Sequence, residues 1–587
     1  MKNAFQYLHE ILTLIGEDRR KLPWMILLFL GSSFLDFAGL GLIAPYIALV
    51  MQPDQVTEGR IGQLLAMLDW TTDRETLLLW VSILLVTIFV AKAIAALGIS
   101  FVIIRFAQSQ QIRLRSRLMH AYQNMPYSAY LLRNSSEYIY SLQSLTGNFQ
   151  GVLQDLLPAV SNGFIALFIL CLLIWENAVA LSLLILLVVS TLLVYDLLFR
   201  KRMRDYGELQ NIESREIIQS INEGMDGFKE IRILGRESHF FNRLLRAVEK
   251  ISFYQRRFQL IQQAPRHLLE VVLVFFVVLL VLLTMRLEIP TEALFGTLGL
   301  FGVAAIRLLP IATMFNGMLN SLRFNRDSVS RLYADVKDLT DTRKRDEYKV
   351  NYGEPFASLK LYNLQYSYPN TKTKALQDLG FEIQAGESIG LIGPSGSGKT
   401  TLVDVLLGLL EPQSGILKFN GRALHENLDE WRSQVAYLPQ QVFLIDNTLK
   451  KNVALGEEEL DTDEQRVHEA LRQARLTELI GQLPKGLNTL VGERGVRLSG
   501  GQRQRVALAR AFYYGRNVLV MDEATSALDD STEKQIVEEI KHLKGHKTMI
   551  VIAHRLTTVR NCDRIYRLEH GRIVEQGTSE QILPKVS

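Results

Sequence analysis

The chain has 587 residues, 48% of them hydrophobic and 21% charged, and a net charge of +4. That length is too great for one compact domain, and so small a charge on so long a chain argues against a nucleic-acid-binding protein. Two cysteines, Cys171 in an apolar run and Cys562 in a charged region, argue against a disulfide framework.

The averages conceal a split: residues 1–330 hold long apolar runs, and residues from about 340 onward read as a soluble α/β protein. The expected division is a helical membrane domain over 1–335 and an α/β domain over 336–587. The N-terminus lacks the continuous apolar core and cleavage site of a signal peptide. Phe5, Leu8, Ile11, Leu12 and Ile15 instead recur at helical spacing, which predicts a helix lying along the membrane surface or, alternatively, packed on protein.

A bilayer core needs roughly 20 apolar residues of helix. Six stretches answer that need: Pro23–Met51, Leu77–Phe106, Leu153–Trp175, Ala178–Phe199, His267–Thr284 and Leu294–Leu322. The third and fourth are separated by Glu176 and Asn177 alone, a tight hairpin. Basic residues fix the orientation. Arg19, Arg20 and Lys21 precede the first span, Arg113, Arg115, Arg117 and Arg133 follow the second, Arg200, Lys201, Arg202 and Arg204 follow the fourth, and Arg323, Arg326 and Arg331 follow the sixth. The opposite loops hold Arg60, Arg74 and Arg286, so both termini and the two long loops are expected in the cytoplasm.

Those long loops extend the membrane helices, with two interruptions: Met125–Tyr140, marked by Pro126 and Asn134, and Gly224–Phe240, marked by Gly224, Gly227 and Gly235. Each interruption is read either as a short helix touching the soluble domain or as a connecting turn. In the first outer loop, Ile61, Leu64, Leu65 and Leu68 beside Trp70 predict an amphipathic helix, either a lipid-facing or substrate-guiding element or a simple packing helix.

In the soluble half, Gly393 opens the run GPSGSGKTT between an apolar strand, Ser388–Ile392, and a helix expected from Thr401. This fits G-x-x-x-x-G-K-[ST] in its required context. Gly393, Pro394, Ser395, Gly396, Ser397, Gly398 and Thr401 shape a backbone cradle for phosphates; Lys399 brings a cation, and Thr400 offers a hydroxyl to Mg2+. The strand Val518–Met521 delivers Asp522, a Mg2+ carboxylate, and Glu523, a general base for the attacking water. Ser499, Gly500, Gly501 and Gln502 open another helix, a second anion site.

The run Leu498–Gln502, LSGGQ, matches the signature of ABC transporters, and further motifs follow in the family's order. Gln440 in YLPQ resembles the Q-loop glutamine, Ser526–Asp529 the D-loop, His554 in IAHR the switch histidine, Tyr368 in YSYP the aromatic that stacks on adenine, and Gly492–Gly495 the exporter segment before the signature. The chain is identified as resembling a half-transporter of the type IV exporter class over essentially its whole length. The resemblance implies an ATPase with ATP and Mg2+ at its site, Gln440 and His554 joining Glu523 in catalysis and Gln440 also in the metal shell. It also implies a homodimer, each ATP lying between Lys399 of one copy and Ser499 of the other.

Three cations lie in the apolar stretches: Lys92 in the second, Arg266 at the start of the fifth and Arg307 in the sixth. Membrane-depth charges are costly unless paired or wetted, so these are candidates for an anionic cargo headgroup; Lys92 could alternatively pair with Asp36. The segments LDFAGLGLIAPYIAL, QQAPRHLLEVV and AAIRLLPIATMFN are similar to those of lipid-linked oligosaccharide flippases. This implies a polyprenyl-pyrophosphate-linked oligosaccharide as cargo, moved across a bacterial inner membrane. The alternatives are a lipid A-type lipid or drug exporter, a peptide exporter, and an ATP-gated channel or regulatory subunit.

Overall fold

The structure is a computed structural model that describes residues 2–51, 74–286, 291–341, 354–369, 371, 373–522, 538, 541–553 and 556–583. The outer-loop helix expected around Ile61–Leu68 lies outside the described residues. The chain divides into two compact units. One comprises Met1–Met125 and Arg133–Lys344; the other comprises Arg345–Ser587 together with the short stretch Pro126–Leu132.

Among the described residues the first unit is built from helices. Helix α1 is Lys2–Ile15, α2 Leu22–Met51 and α3 Arg74–Asn124. In the second unit, Tyr127–Tyr130 is α4; back in the first, α5 is Ser135–Tyr140, α6 Thr146–Asp226, α7 Phe228–Leu234, α8 Glu237–Arg286, α9 Thr291–Phe324 and α10 Arg326–Asp341. Five described helical segments are long and apolar enough to cross a membrane, from the first near the N-terminus to Glu237–Leu283. Helix α9, 34 residues long, covers the sixth expected stretch and is not among those five. Inside α6 the backbone breaks at Asn177 (φ −153°, ψ 91°), where the side chain accepts from Ala180 N–H and caps the second arm. That is the tight hairpin the sequence implies.

The cytoplasmic extensions are real helices. In α3 the buried residues Ile103, Phe106, Ala107, Gln110, Leu114 and Leu118 form one stripe that runs past the apolar stretch. Helix α1 is not a pure surface helix. Tyr7, Ile11, Leu14 and Ile15 are buried with Val329, Leu332 and Val336 of α10, while Phe5 and Leu8 stay exposed. Arg326 stacks over the Tyr7 ring and Ser330 donates to Glu10, fastening α1 to the connector that follows the last span.

Both interruptions contain a short helix. Met125 and Pro126 end α3 and start α4; α5 then runs into a π-helical turn at Ser141–Leu145. The second interruption holds α7, closed by Gly235 in the left-handed conformation (φ 61°) that a side chain resists. Phe228, Ile233 and Leu234 of α7 are 66%, 76% and 71% exposed. Within the first interruption, Pro126–Leu132 belongs to the second unit.

Two buried polar hubs hold α10. Asp335 accepts from Arg133 (2.8 Å), Ser141 (2.8 Å) and Tyr122 (3.3 Å). Asn211 accepts from Tyr140 (2.6 Å) and donates to Asp327 and to Ser328 (2.9 Å each).

The second unit carries two sheets. One is antiparallel, order β2–β1–β4–β5, with β1 Ser358–Tyr366, β2 Leu376–Gln384, β4 Ser414–Phe419 and β5 Arg422–Ala423. The other has order β10–β9–β3–β8–β7–β6, with β3 Ser388–Ile392, β6 Val435–Leu438, β7 Val518–Asp522, β8 Thr548–Ile552, β9 Arg564–Glu569 and β10 Arg572–Gly577. All of its pairings are parallel except β9–β10. Strands β3, β7 and β8 are buried along their whole length, as expected for central parallel strands covered on both faces.

Candidate functional site

Parallel strands end at a common edge, which is where open α/β sheets place ligands. Register brings Leu391 of β3 opposite Ile552 of β8, Ile552 opposite Asp522 of β7, and Met521 opposite Leu438 of β6. The phosphate loop, Asp522 and Gln440 therefore emerge along one edge, with Gln440 exposed just past β6. Glu523, Ser526–Asp529 and His554 lie outside the described residues; the strands that precede Glu523 and His554 end at this same edge.

The loop after β3 is shaped by glycines that nothing else can replace. Gly393 has φ 146°, and a Cβ there would lie 2.1 Å from the Leu568 carbonyl oxygen. Gly398 has φ 101°, with a Cβ position 2.7 Å from the Ala375 carbonyl oxygen. Gly398 caps helix α11, Lys399–Leu406, which begins at Lys399 rather than at Thr401. Lys399 is 6% exposed, and its ammonium donates back across the loop to the carbonyls of Gly393 (2.8 Å) and Pro394 (2.9 Å). Ser397 Oγ is buried with no hydrogen-bond partner among the described residues, while Pro394, Ser395 and Gly396 are exposed. An orphaned hydroxyl, a bent-back cation and a helix start fit a polyphosphate.

Thr400 is exposed beside the loop, and Asp522 is 7% exposed. Tyr437 donates to Asp522 Oδ2 at 3.2 Å. A hydroxyl, a carboxylate and the Gln440 amide are hard oxygen donors of the kind Mg2+ takes when it shares its shell with phosphate. Among the described residues no three His, Cys, Asp or Glu side chains form a metal cage of protein groups alone. Two groups escaped the sequence reading. Burial, with the charge of Asp522 second, pushes the Asp404 carboxyl up to about 6. Burial, then the same charge and the hydrogen bond, raise the Tyr437 phenol. The available signals were a lone carboxylate inside the apolar helix after the loop, and the first residue of YLPQ.

Tyr368 accepts from or donates to Thr401 (3.1 Å) and meets Tyr366 edge-on at 5.2 Å. Beside it a cavity of about 500 Å³ is lined by Gln365, Ser367, Lys374, Gln413 and Ser128. Ser128 belongs to α4, whose Tyr127 packs on the same apolar core as Tyr368.

The second anion site is built by a capping box. Ser499 Oγ accepts from Gln502 N–H (3.3 Å), and Gln502 Oε1 accepts from Ser499 N–H (2.8 Å), at the start of helix α12, Gly500–Tyr513. Ser499 is exposed, Gly500 half-buried and Gly501 buried. Arg510, further along α12, donates to the carbonyls of Phe443 (2.7 Å) and Asn452. Its burial pulls its pKa down to about 10. The signature helix is thereby fastened to the segment that follows Gln440.

In the membrane unit Lys92 forms an ion pair with Asp36, which removes it from the unpaired cations. Arg266 pairs with Glu270 one turn along α8 at 3.3 Å. Arg307, half-buried in α9, has no ion-pair partner among the described residues.

Known proteins match this architecture. The chain is 29% identical to the ATP-dependent lipid A-core flippase of Saccharophagus degradans over 88% of its own length and 87% of that protein's. It is 33% identical to the ATP-dependent lipid A-core flippase of Cupriavidus pinatubonensis over 65% of the chain, a match spanning 64% of that relative's length. It is 44% identical to the ATP-dependent lipid A-core flippase of Ralstonia nicotianae over 39% of either chain. The structure of a bacterial Atm1-family ABC exporter with ATP bound superposes with a TM-score of 0.75 at 21% identity, covering 97% of both chains, a likeness of fold. Residues 25–308 match the ABC transporter transmembrane region and residues 376–526 the ABC transporter family, so the chain, with its membrane helices and its ATP-binding domain, belongs to the ABC transporters.

Proposed function

We propose that the chain is one half of an ATP-driven flippase that moves a phosphorylated glycolipid of the lipid A type from the cytoplasmic to the outer leaflet of a bacterial inner membrane. The observation that carries the cargo class is Arg307, a half-buried cation in a membrane helix with no ion-pair partner among the described residues. An uncompensated charge at that depth costs roughly 2.5–3.5 kcal/mol on insertion scales, and an anionic headgroup offsets it. The relatives' names favour lipid A over the polyprenyl-pyrophosphate-linked oligosaccharide expected from short sequence segments; that cargo remains the second reading, with the same phosphate chemistry.

Two copies assemble so that the cradle of one faces Ser499 of the other across a shared ATP. Lys399 and the loop N–H groups hold the phosphates, Ser499 and the α12 start hold them from the opposite side, and Tyr368 holds the base. Thr400, Asp522 and Gln440 would hold Mg2+, which would supply charge neutralisation on the phosphates. Glu523 takes the proton of the attacking water, and His554 and Gln440 orient the reacting groups. ATP favours the closed pair because it binds both faces at once, and its hydrolysis removes that bias.

The test is reconstitution in liposomes with labelled lipid A or a labelled polyprenyl-pyrophosphate glycan, scoring translocation and ATP consumption together. Lipid A translocation coupled to hydrolysis is expected; movement of the polyprenyl lipid alone favours the second reading, and ion conductance without lipid movement overturns both. Glu523→Gln is expected to abolish steady-state hydrolysis while ATP binding persists. Arg307→Ala is expected to cut translocation more deeply than basal hydrolysis, whereas equal loss of both marks a structural arginine.

A further inference from the structure

A cavity of about 510 Å³ opens among α6, α8 and α9, lined by Gln154, Asp155, Gln262, Gln263, Arg266 and Thr313 among others. Its walls come from the start of the third apolar stretch, the start of the fifth and the end of the sixth. All three are cytoplasmic ends, so the cavity lies at the depth of inner-leaflet headgroups. A lipid chain does not call for such a lining. Three carboxamides, a carboxylate, a guanidinium, an imidazole and a hydroxyl at headgroup depth suit water or a polar ligand.

The balance of donors and acceptors narrows the ligand. Pro158 also lines the cavity and has no N–H to give the carbonyl of Gln154 one turn earlier, so that acceptor has lost its helical donor. At Pro265 the equivalent orphan, the Ile261 carbonyl, is taken by the Tyr195 hydroxyl at 2.5 Å. The Gln154 carbonyl and the Asp155 carboxyl, which also shares a hydrogen bond with Ser321, disfavour a bare phosphate and favour a group that donates as well as accepts. Arg266 and His267, the basic side chains of the lining, both lie against Glu270, at 3.3 and 3.5 Å. Sugar hydroxyls donate and accept, and carboxamides are their matched partners. Arg307 stands two turns further along α9 from Met314 of this cavity, about 10 Å by helical rise.

We infer that this cavity is a sugar-recognition site for the cargo in the inner leaflet, taking the hydroxyl-bearing face of a glycolipid headgroup and leaving its phosphate to Arg307. The inference rests on the glycolipid reading above and adds the group that selects the cargo. Gln154, Gln262 and Gln263 contact the sugar; Asp155 accepts from it.

The test uses the full-length chain in phosphatidylcholine nanodiscs and native mass spectrometry to measure retention of lipid A, of phosphatidylglycerol and of phosphatidylethanolamine. Lipid A has sugar and phosphate, phosphatidylglycerol has phosphate without sugar, and phosphatidylethanolamine offers an ammonium to Asp155. The unaltered chain is expected to retain lipid A in preference to both phospholipids. The double variant Gln154→Leu, Gln262→Leu is expected to lose lipid A retention about tenfold, with phosphatidylglycerol retention changed less than twofold. A second variant guards against misfolding. A Cβ on Gly317 would meet only the Gln262 amide, at 3.7 Å, so Gly317→Ala fits the fold while narrowing the cavity, and it too is expected to weaken lipid A retention. Unchanged lipid A retention in both variants overturns the sugar site and leaves the flippase reading standing. If the unaltered chain retains no lipid A in preference, both fall.

Discussion

At the scale of single residues the phosphate loop is the most constrained place in the chain. A methyl group at Gly393 would collide with the Leu568 backbone, so Gly393→Ala is expected to abolish ATP binding, measured with a fluorescent nucleotide. Asp404 makes the opposite kind of prediction. Its folded-state pKa of about 6 lies above the ordinary 3.8, so folding favours the neutral carboxyl. The stability this contributes is full below about pH 4, fades as the pH rises through about 6, and is absent above. Asp404→Asn keeps a neutral group at all pH values. Without nucleotide it is expected to stabilise the fold at pH 8 by about 1 kcal/mol after allowing for partial solvation, read as a higher thermal midpoint, and to leave the midpoint unchanged at pH 4. Residues such as Lys399 and Ser499 were legible because their chemistry requires fixed neighbours in sequence. Asp404 and Tyr437 were not, because what perturbs them is burial first and the charge of Asp522 second, both set by the fold; the pairing of β6 with β7 brings Tyr437 to Asp522.

At the scale of elements, α10 is held by charge rather than by grease alone. Asp335→Ala strands three donors, Arg133, Ser141 and Tyr122, and is expected to destabilise the membrane unit by about 2–4 kcal/mol, read as a lower thermal midpoint in detergent. An unchanged midpoint would contradict that role. The spans, the hairpin at Asn177 and strands β3 and β7 were readable from apolar runs and their punctuation. The face of α1 was not. Its spacing shows an apolar stripe but not whether lipid or protein covers it, and α10, more than 300 residues away in sequence, takes Tyr7, Ile11 and Leu14. Likewise, glycines locate α7 without showing that Phe228, Ile233 and Leu234 remain uncovered in the single chain.

At the scale of the whole molecule, a site shared between copies predicts complementation. Chains carrying Lys399→Ala alone or Ser499→Phe alone are each expected to be inactive. A mixture of the two assembles some pairs in which an intact cradle meets an intact signature, so hydrolysis is expected to return in part. No recovery on mixing, with pairing verified by cross-linking, would argue against a shared site. A different consequence follows from the short stretch Pro126–Leu132, which lies with the ATP-binding unit although more than 200 residues separate it from the rest of that unit. The unit is stitched from two distant parts of the chain, so no single cut releases it whole. Grafting this ATPase onto another exporter at Arg345 would set that exporter's own turn on the seat that Tyr127 occupies on the apolar core it shares with Tyr368. A working chimera would have to carry both fragments.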